Sequence, residues 1–162
     1  MQFIIERLRN LLLEQAFRYD VVDAVLTAQG GNPAHAVRAV KALSAWVSRP
    51  DWNTILPAYA RCVRITRDLK ERCPVRAEVL VEQEEKTLLS ALETAEKTPR
   101  RPASVDDFLN AFVPMIPAID RFFDAVLVMT EEQRLRENRL GLLQSIVALA
   151  AGVADMSKLE GF

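Results

Sequence analysis

Apolar side chains recur at intervals of three and four residues along almost the whole chain, which is the spacing of one face of an α-helix. No stretch in which apolar and polar residues strictly alternate is long enough to predict a β-strand. The apolar residues that mark a first helix are Phe3, Ile4, Leu8, Leu11 and Leu12. We therefore predict an all-α fold, a single helical bundle of about seven helices, in which residues 1–162 form one domain.

Polar residues that can cap helices indicate where the helices of the first half begin. Asp20 is the predicted N-cap of the second helix, and Asn32 followed by Pro33 opens the third. Asp51 opens a long fourth helix, whose apolar positions repeat as far as Cys73.

The helices of the second half are separated by polar and proline-containing segments. A fifth helix is predicted over residues 79–95. Ser104 and Asp107 form a capping box, with Asp in the place of Glu, that opens a sixth helix. Pro114 and Pro117 lack amide donors and clash with the carbonyls of the preceding turn, so we predict a break at residues 113–117.

The sequence FFDAVLVM is too apolar for an exposed helix and predicts a core helix over residues 118–129. Thr130 and Gln133 form a second capping box that opens the last long helix, and Asp155 is the predicted cap of a final turn. The arginines near the start of the last helix are predicted to be structural; they are Arg134, Arg136 and Arg139. The side chains that the last helix is predicted to bury are Leu135, Leu142, Leu143, Ile146, Leu149 and Val153.

The apolar runs and the cysteines predict where in the cell the chain is located. The longest runs, residues 125–129 and 146–153, fall well short of the ~20 residues that a bilayer requires, so no membrane span is predicted. The first ten residues, MQFIIERLRN, lack the apolar core of a secretory signal, and a cytoplasmic location is expected. Cys62 and Cys73 would be ~16 Å apart along one helix, too far for a disulfide, and are expected to be thiols of a reducing compartment.

The charges of the chain are distributed unevenly between its halves. Residues 1–76 carry 12 Lys and Arg against 7 Asp and Glu, a balance of +5, whereas residues 77–162 carry 9 against 15, a balance of −6. The basic half is therefore where we expect an acidic partner to bind.

No catalytic or metal-binding constellation is recognisable in the sequence. His35 is the single histidine, and no cysteine or carboxylate cluster stands beside it at the spacing of metal ligands. The glycines form neither a dinucleotide fingerprint nor a phosphate loop. We predict no catalytic residue, no metal ligand and no cofactor for this chain, and a binding function instead.

A basic face is predicted on the fourth helix. At ~100° per residue, Arg61, Arg64 and Arg72 cluster opposite the apolar stripe, with Arg67 at its edge. Arginines in such a row can track phosphates or stack on unpaired bases, unless neighbouring acids at i,i+4 neutralise them. The aromatic candidates for base stacking in the basic half are Tyr19, Trp46, Trp52 and Tyr59.

Three long segments resemble, in the same order, the C-terminal region of the beta subunit of bacterial glycyl-tRNA synthetases. They are FIIERLRNLLLEQAFRYDVVDAVLTAQ, YARCVRITRDL and IDRFFDAVLVMTEEQRLRENRLGLLQSIVALAAGVADMSKL. The family motifs are present as Arg7-Leu8, Tyr19 to Leu26, Phe122 to Met129, Arg136 to Leu143 and Val153 to Asp155. The segments Tyr59-Ala60-Arg61 and Arg139-Leu140-Gly141-Leu142 are also similar to the C-terminal helical domain of arginyl-tRNA synthetases.

The resemblance implies an all-helical anticodon-binding domain of the class I, arginyl-like type. It implies that the chain holds the anticodon arm of glycine tRNA, while ATP- and Mg-dependent glycylation occurs elsewhere in the enzyme, in the alpha subunit or a fused catalytic region. The chain alone would then have no enzymatic activity. The residues that we expect to contact tRNA are Arg18, Tyr19, Arg38, Lys41, Arg61, Arg64 and Arg67.

Two alternatives remain open from the sequence. The chain could be a helical protein–protein interaction domain that does not bind RNA, or the equivalent domain of an arginyl-tRNA synthetase. The segments Phe122-Phe123-Asp124 and Val153-Ala154-Asp155 argue against the arginyl enzyme.

Overall fold

The computed structural model describes all 162 residues and confirms the all-α prediction, with eight α-helices, three short 3₁₀ turns and no strand. The Cα positions divide the chain into two compact units. The first comprises residues 1–57, 100–109 and 150–162, and the second comprises residues 58–99 and 110–149. None of the helices has both the length and the apolar character that crossing a membrane requires.

The first unit is built around a central apolar helix. It contains α1 (Gln2–Glu14), α2 (Tyr19–Gln29), α3 (Pro33–Val47), the first parts of α4 (Trp52–Thr66) and α6 (Val105–Phe112), and a 3₁₀ turn at Met156–Lys158. Val21, Val22 and Val25 of α2 are completely buried. Of the apolar residues that mark α1, Leu8 and Leu12 are buried, whereas the other three are exposed. Helix α1 therefore presents an apolar face to solvent.

Several predicted helix starts of the first unit are confirmed. The Asn32 side chain accepts a hydrogen bond from the His35 backbone N–H at 3.1 Å, with Pro33 in the first helical turn. The Ser104 hydroxyl accepts from the Asp107 N–H at 3.2 Å, and Asp155 caps the final turn by accepting from the Ser157 N–H at 3.1 Å. Each of these caps joins residues at most three positions apart, which is why sequence spacing predicts them.

Two other predicted acidic caps of the first unit serve a different purpose. The prediction for Asp20 is wrong, because α2 already begins at Tyr19 and the Asp20 carboxylate forms an ion pair with Arg18. Helix α4 does begin directly after Asp51, but the Asp51 carboxylate accepts two hydrogen bonds from the Arg49 guanidinium.

The second unit packs α5 against both α7 and α8. It contains the remaining parts of α4 and α6, α5 (Gln83–Lys97), α7 (Ile116–Ala125), α8 (Gln133–Ala148), and 3₁₀ turns at Ala77–Val79 and Val113–Met115. Helix α5 starts four residues later than predicted, because Glu82 and Glu85 form a reciprocal capping box there. The largest completely enclosed side chains of this unit include Leu88, Leu92, Phe112, Met115, Ile119, Phe122, Leu142 and Leu143.

Helix α4 ends at Thr66, so its predicted extension to Cys73 is wrong. Gln144 of α8 binds the segment that follows, since its side-chain amide accepts from the Cys73 N–H at 2.8 Å and donates to the Glu71 carbonyl at 2.9 Å. These bonds satisfy backbone groups that would otherwise belong to a continuing helix.

The predicted break at the prolines is confirmed by the 3₁₀ turn at Val113–Met115, but the core helix that follows is shorter than predicted. Helix α7 ends at Ala125. Beyond it Val126 and Val128 are buried, whereas Leu127 is 69% and Met129 is 58% exposed. The Leu127 carbonyl accepts a hydrogen bond from the Arg139 guanidinium at 2.8 Å, which holds this segment outside the helix.

The predicted capping box at Thr130 and Gln133 is wrong. The N-cap position of α8 is Glu132, without a side-chain cap, and the Thr130 carbonyl instead accepts from the Arg136 guanidinium at 2.9 Å. Arg139 forms a buried ion pair with Glu85, with 2.7 Å between Nε and Oε1. The structural role predicted for the arginines of α8 is therefore confirmed for Arg136 and Arg139.

Candidate nucleic-acid interface

Arg18 and Tyr19 meet at the start of α2, where acidic side chains engage both of them. The Arg18 guanidinium donates to both carboxylate oxygens of the buried Asp20, at 3.0 and 2.6 Å. Tyr19, which is 56% exposed, donates its phenol hydroxyl to Glu160 Oε1 at 2.8 Å. Glu160 Oε2 also lies 3.4 Å from Arg18 Nη2. A cation and an aromatic ring are thus held together at the surface.

The electrostatics of this cluster keep Asp20 ionised. Burial alone would raise the pKa of the Asp20 carboxyl, but hydrogen bonds from Arg18 and from the Glu160 backbone N–H outweigh burial and lower it. The hydrogen bond to Glu160 raises the pKa of the Tyr19 phenol, so Tyr19 remains a hydrogen-bond donor at neutral pH. Asp20 therefore fixes the orientation of the Arg18 guanidinium. Glu160 occupies hydrogen-bond donors of Tyr19 and Arg18 that an external acceptor could otherwise use.

Arg38 and Lys41 lie three residues apart on α3, both exposed, and neither forms an ion pair in this structure. Arg38 lines a cavity of about 430 Å³ together with His35 and Arg101. The Arg101 guanidinium is already paired with Asp107 at 2.8 Å. Arg38 is therefore the cation of this cavity that can bind an anion without first breaking an ion pair.

Arg61, one of the two candidates on α4, contacts side chains of α7. Its guanidinium carbon lies 4.3 Å from the centre of the Phe123 ring, and its Nη1 lies 4.0 Å from Asp120 Oδ1. Both partners belong to α7, and Arg61 remains exposed. The cation–π contact holds the guanidinium over a ring that is itself half-buried.

The rest of the predicted basic face differs from the helical-wheel prediction. Arg64 is exposed on α4, and Arg67 is exposed in the turn that follows the helix. Arg72 does not belong to this face, because α4 has ended and the Arg72 guanidinium donates to the Gln144 carbonyl at 3.0 Å. Since residues 67–72 are not helical, the i,i+4 ion pair that could have neutralised Arg67 does not form.

The seven predicted residues fall into three groups. Arg18 lies beside Tyr19, and Arg38 shares a helix face with Lys41, all four in the first unit. The remaining three belong to the second unit: Arg61 and Arg64 lie in the last turns of α4, and Arg67 directly follows the helix.

Three of the four aromatic candidates are core residues. Trp46 is buried and donates its indole N–H to Asp106 at 2.8 Å. Tyr59 is buried, donates to the Val147 carbonyl at 3.0 Å and packs edge-to-face on Phe112. Trp52 is buried as well. Tyr19 is thus the exposed aromatic side chain of this set.

Two residues that take part in these groups are missing from the sequence-based prediction. Phe123 could have been found on a helical wheel, because it lies ~100° from the buried Phe122 and therefore at the edge of the face that α7 buries. Glu160 has no comparable signal, since it lies 141 positions from its partner Tyr19.

Comparisons with known proteins agree with the resemblance seen in the motifs. A family model described as the DALR anticodon binding domain matches residues 55–154. The chain is 36% identical to the glycine–tRNA ligase beta subunit of Moorella thermoacetica over 98% of its own length and 23% of that protein. The beta subunit of Myxococcus xanthus is 39% identical over 99% of this chain and 24% of that protein.

A plant relative extends the similarity. The chain is 32% identical to the chloroplastic/mitochondrial glycine–tRNA ligase 2 of Arabidopsis thaliana, over 99% of its length and 15% of that protein. The chain therefore spans about a quarter or less of the length of the relatives that it matches.

Proposed function

We propose that this chain, which belongs to the DALR anticodon binding domain family, recognises the anticodon arm of glycine tRNA as part of a glycine–tRNA ligase. The family match and the names of the relatives support this proposal. Arg61, Arg64 and Arg67 all lie within the matched residues 55–154. The observation that carries the proposal is the exposed Arg61 guanidinium, whose central carbon lies 4.3 Å from the centre of the Phe123 ring within that region.

A guanidinium in this position can stack on an unpaired base. The group is planar, lies over the Phe123 ring and remains exposed, and RNA is read most often through splayed bases that stack on arginine or aromatic planes. Exposed Arg67, one turn beyond Arg64, supplies a charge for phosphate contacts. Base stacking would provide discrimination, while the phosphate contacts would provide affinity that depends on salt.

The chemical step belongs to other parts of the enzyme in this proposal. Glycine activation with ATP and Mg²⁺, and transfer to the tRNA, would occur in the alpha subunit or in a fused catalytic region. The present chain would contribute tRNA binding to that assembly, in the cytoplasm.

The proposal is tested by measuring the affinity of the 162-residue chain for glycine tRNA and for the same tRNA with its anticodon replaced. We expect the native anticodon to be preferred, and we expect Arg61→Ala to reduce that preference. The control is Arg134→Ala, which removes an exposed arginine that forms no ion pair. Equal affinities for the two tRNAs would refute anticodon recognition. Binding that does not weaken with salt would favour a protein-interaction domain instead.

A further inference from the structure

We infer that the groove between α5 and α7 binds the phosphate groups of an RNA strand. The groove has a volume of about 460 Å³ and lies entirely within the second unit. Its two charged lining residues are Lys86 and Arg121, and no carboxylate lines it. The inference rests on the proposed RNA-binding function for the identity of the polyanion.

Helix α5 contributes one polar wall of the groove. Gln83, Thr87, Ser90 and Thr94 follow one another at intervals of four, three and four residues, so they share a helix face. Lys86 joins this face because it lies three residues after Gln83 and four residues before Ser90. The wall therefore consists of hydroxyl, amide and ammonium groups.

Helix α7 and the turn before it contribute the opposite wall. The buried Ala118 and the exposed Pro114 and Pro117 line it, and Arg121 lies three residues after Ala118. Small side chains and proline rings leave the groove open. Arg121 is exposed and is the single cation of this wall.

The cations of the groove are available although they lie in the acidic half of the sequence. Residues 77–162 carry six more acidic than basic residues, yet Lys86 and Arg121 form no ion pair. The acids next to them in sequence are turned elsewhere: Glu85 is buried with Arg139, and Asp120 lies 4.0 Å from Arg61. The local charge of the groove is therefore opposite to that of the half that contains it.

The groove offers hydrogen-bond donors to a ligand that has acceptors. Thr87 Oγ1 accepts from Gln83 Nε2 at 3.5 Å, which leaves the Thr87 hydroxyl hydrogen for an outside acceptor. The Ser90 hydroxyl has no partner in the structure. Lys86 adds three N–H donors and Arg121 adds five, and neither side chain can accept a hydrogen bond. Phosphate oxygens are charged acceptors, so they match this set.

The groove lies on the other side of α7 from the contact between Arg61 and Phe123. Phe123, which supports Arg61, and Arg121, which lines the groove, are two residues apart on α7 and therefore lie on different faces of that helix. Bases would stack on the α4 side of α7, and the backbone would be held on the α5 side.

The test uses the 162-residue chain and two RNA hairpins, one with the anticodon arm of glycine tRNA and one with that anticodon replaced. Binding is measured over a range of salt concentrations for the double variant Lys86→Ala/Arg121→Ala. We expect about tenfold weaker binding of both hairpins, and a slope of log K against log salt that is smaller by about two, since each phosphate contact contributes about one. The matched control is Lys97→Ala/Arg134→Ala, which removes the same charge at exposed positions of the same unit.

The outcomes separate this inference from the proposed function. If the double variant keeps the affinity and salt slope of the unmodified chain, or if the control variant loses as much, the groove is not a phosphate site. A second outcome is that the two hairpins bind equally, while the double variant still binds RNA more weakly and with a smaller salt slope than its control. Anticodon recognition is then refuted, and the phosphate site in the groove is supported. Unchanged helical circular dichroism of all variants ensures that the comparison is between folded proteins.

Discussion

Tyr19 donates its phenol hydroxyl to Glu160 Oε1 at 2.8 Å, and the other oxygen of the same carboxylate lies 3.4 Å from Arg18 Nη2. Glu160 thus places an anion where a phosphate of bound RNA could meet the same two donors. It therefore competes with the proposed ligand.

Replacing Glu160 with Gln should strengthen RNA binding. The amide removes a negative charge that repels phosphate and weakens the hold on Arg18, while Asp20 still orients the guanidinium. We expect about threefold tighter binding, the magnitude of one exposed charge interaction. Affinity for glycine tRNA at low salt measures the effect, with the exposed Glu96→Gln as control. Weaker binding would mean that Glu160 positions the donors for RNA rather than competing with it.

Removal of the Arg139 side chain should destabilise the second unit strongly. Arg139 and Glu85 are both buried, and Arg139→Ala would leave an unpaired carboxylate in the interior. Breaking one side of a buried ion pair costs ~3–5 kcal/mol, whereas the exposed Arg134→Ala should change stability by less than ~0.5 kcal/mol. Urea denaturation measures both variants, and equal midpoints would contradict the assigned role.

Stability should fall on acidification partly because of Glu85. Burial would raise the pKa of its carboxyl, but hydrogen bonds from Arg139 and from the backbone N–H groups of Glu82 and Val81 lower it below the ordinary 4.5. A carboxyl whose pKa is lower in the folded state stabilises the fold above its unfolded pKa, and this contribution disappears as the pH falls through the folded value. Glu85→Gln should therefore be less stable at neutral pH and lose less stability as the pH falls below the ordinary pKa of a glutamate. Urea midpoints from neutral to acidic pH provide the measurement, and parallel curves for the two proteins would refute the assignment.

Gly141→Ala should be destabilising, although alanine usually favours a helix over glycine by ~1 kcal/mol. A Cβ at this position of α8 would lie 2.7 Å from the Cys73 carbonyl oxygen and 3.1 Å from that of Pro74. Both obstacles are backbone atoms, so the segment after α4 would have to shift. Gly31→Ala is the matched control, since its Cβ would meet nothing within 4 Å. A thermal midpoint of Gly141→Ala at or above that of the unmodified protein would contradict the close packing.

The two thiols should differ in reactivity. Burial raises the pKa of Cys62 to about 12, and burial also raises the pKa of the half-buried Cys73. Because the thiolate is the reacting species, we expect a thiol reagent at mildly alkaline pH to modify Cys73 slowly and Cys62 only after unfolding. Mass spectrometry of timed samples identifies the modified residue. Early labelling of Cys62 would show that its surroundings open readily.

The features predicted correctly from the sequence depend on residues close in the chain. Asn32, Ser104 and Asp155 cap helices through contacts that span two or three positions, and the proline break at 113–117 follows from the chemistry of the prolines themselves. The all-α prediction follows from apolar spacing for the same reason. Local signals identified the starts of α3, α4 and α6.

The errors arise where distant side chains bind the backbone. Helix α4 stops early because Gln144, more than 70 positions away, binds the following segment, and α7 stops before Leu127 because Arg139 binds that carbonyl. In the candidate site, too, local features are predictable from the sequence and contacts between distant residues are not. Exposed Arg61 was predicted from helical spacing, whereas its contact with Phe123 depends on how two helices pack.

The Glu85–Arg139 pair binds the backbone of two separate loops. Glu85 Oε2 accepts hydrogen bonds from the N–H groups of Val81 and Glu82, at 2.9 and 2.7 Å, and Arg139 binds the Leu127 carbonyl. Residues before α5 and after α7 are thereby attached to the same buried charges. The amide protons of Val81 and Glu82 should therefore exchange with solvent as slowly as those of the surrounding core helices, instead of at the fast rate typical of surface loops.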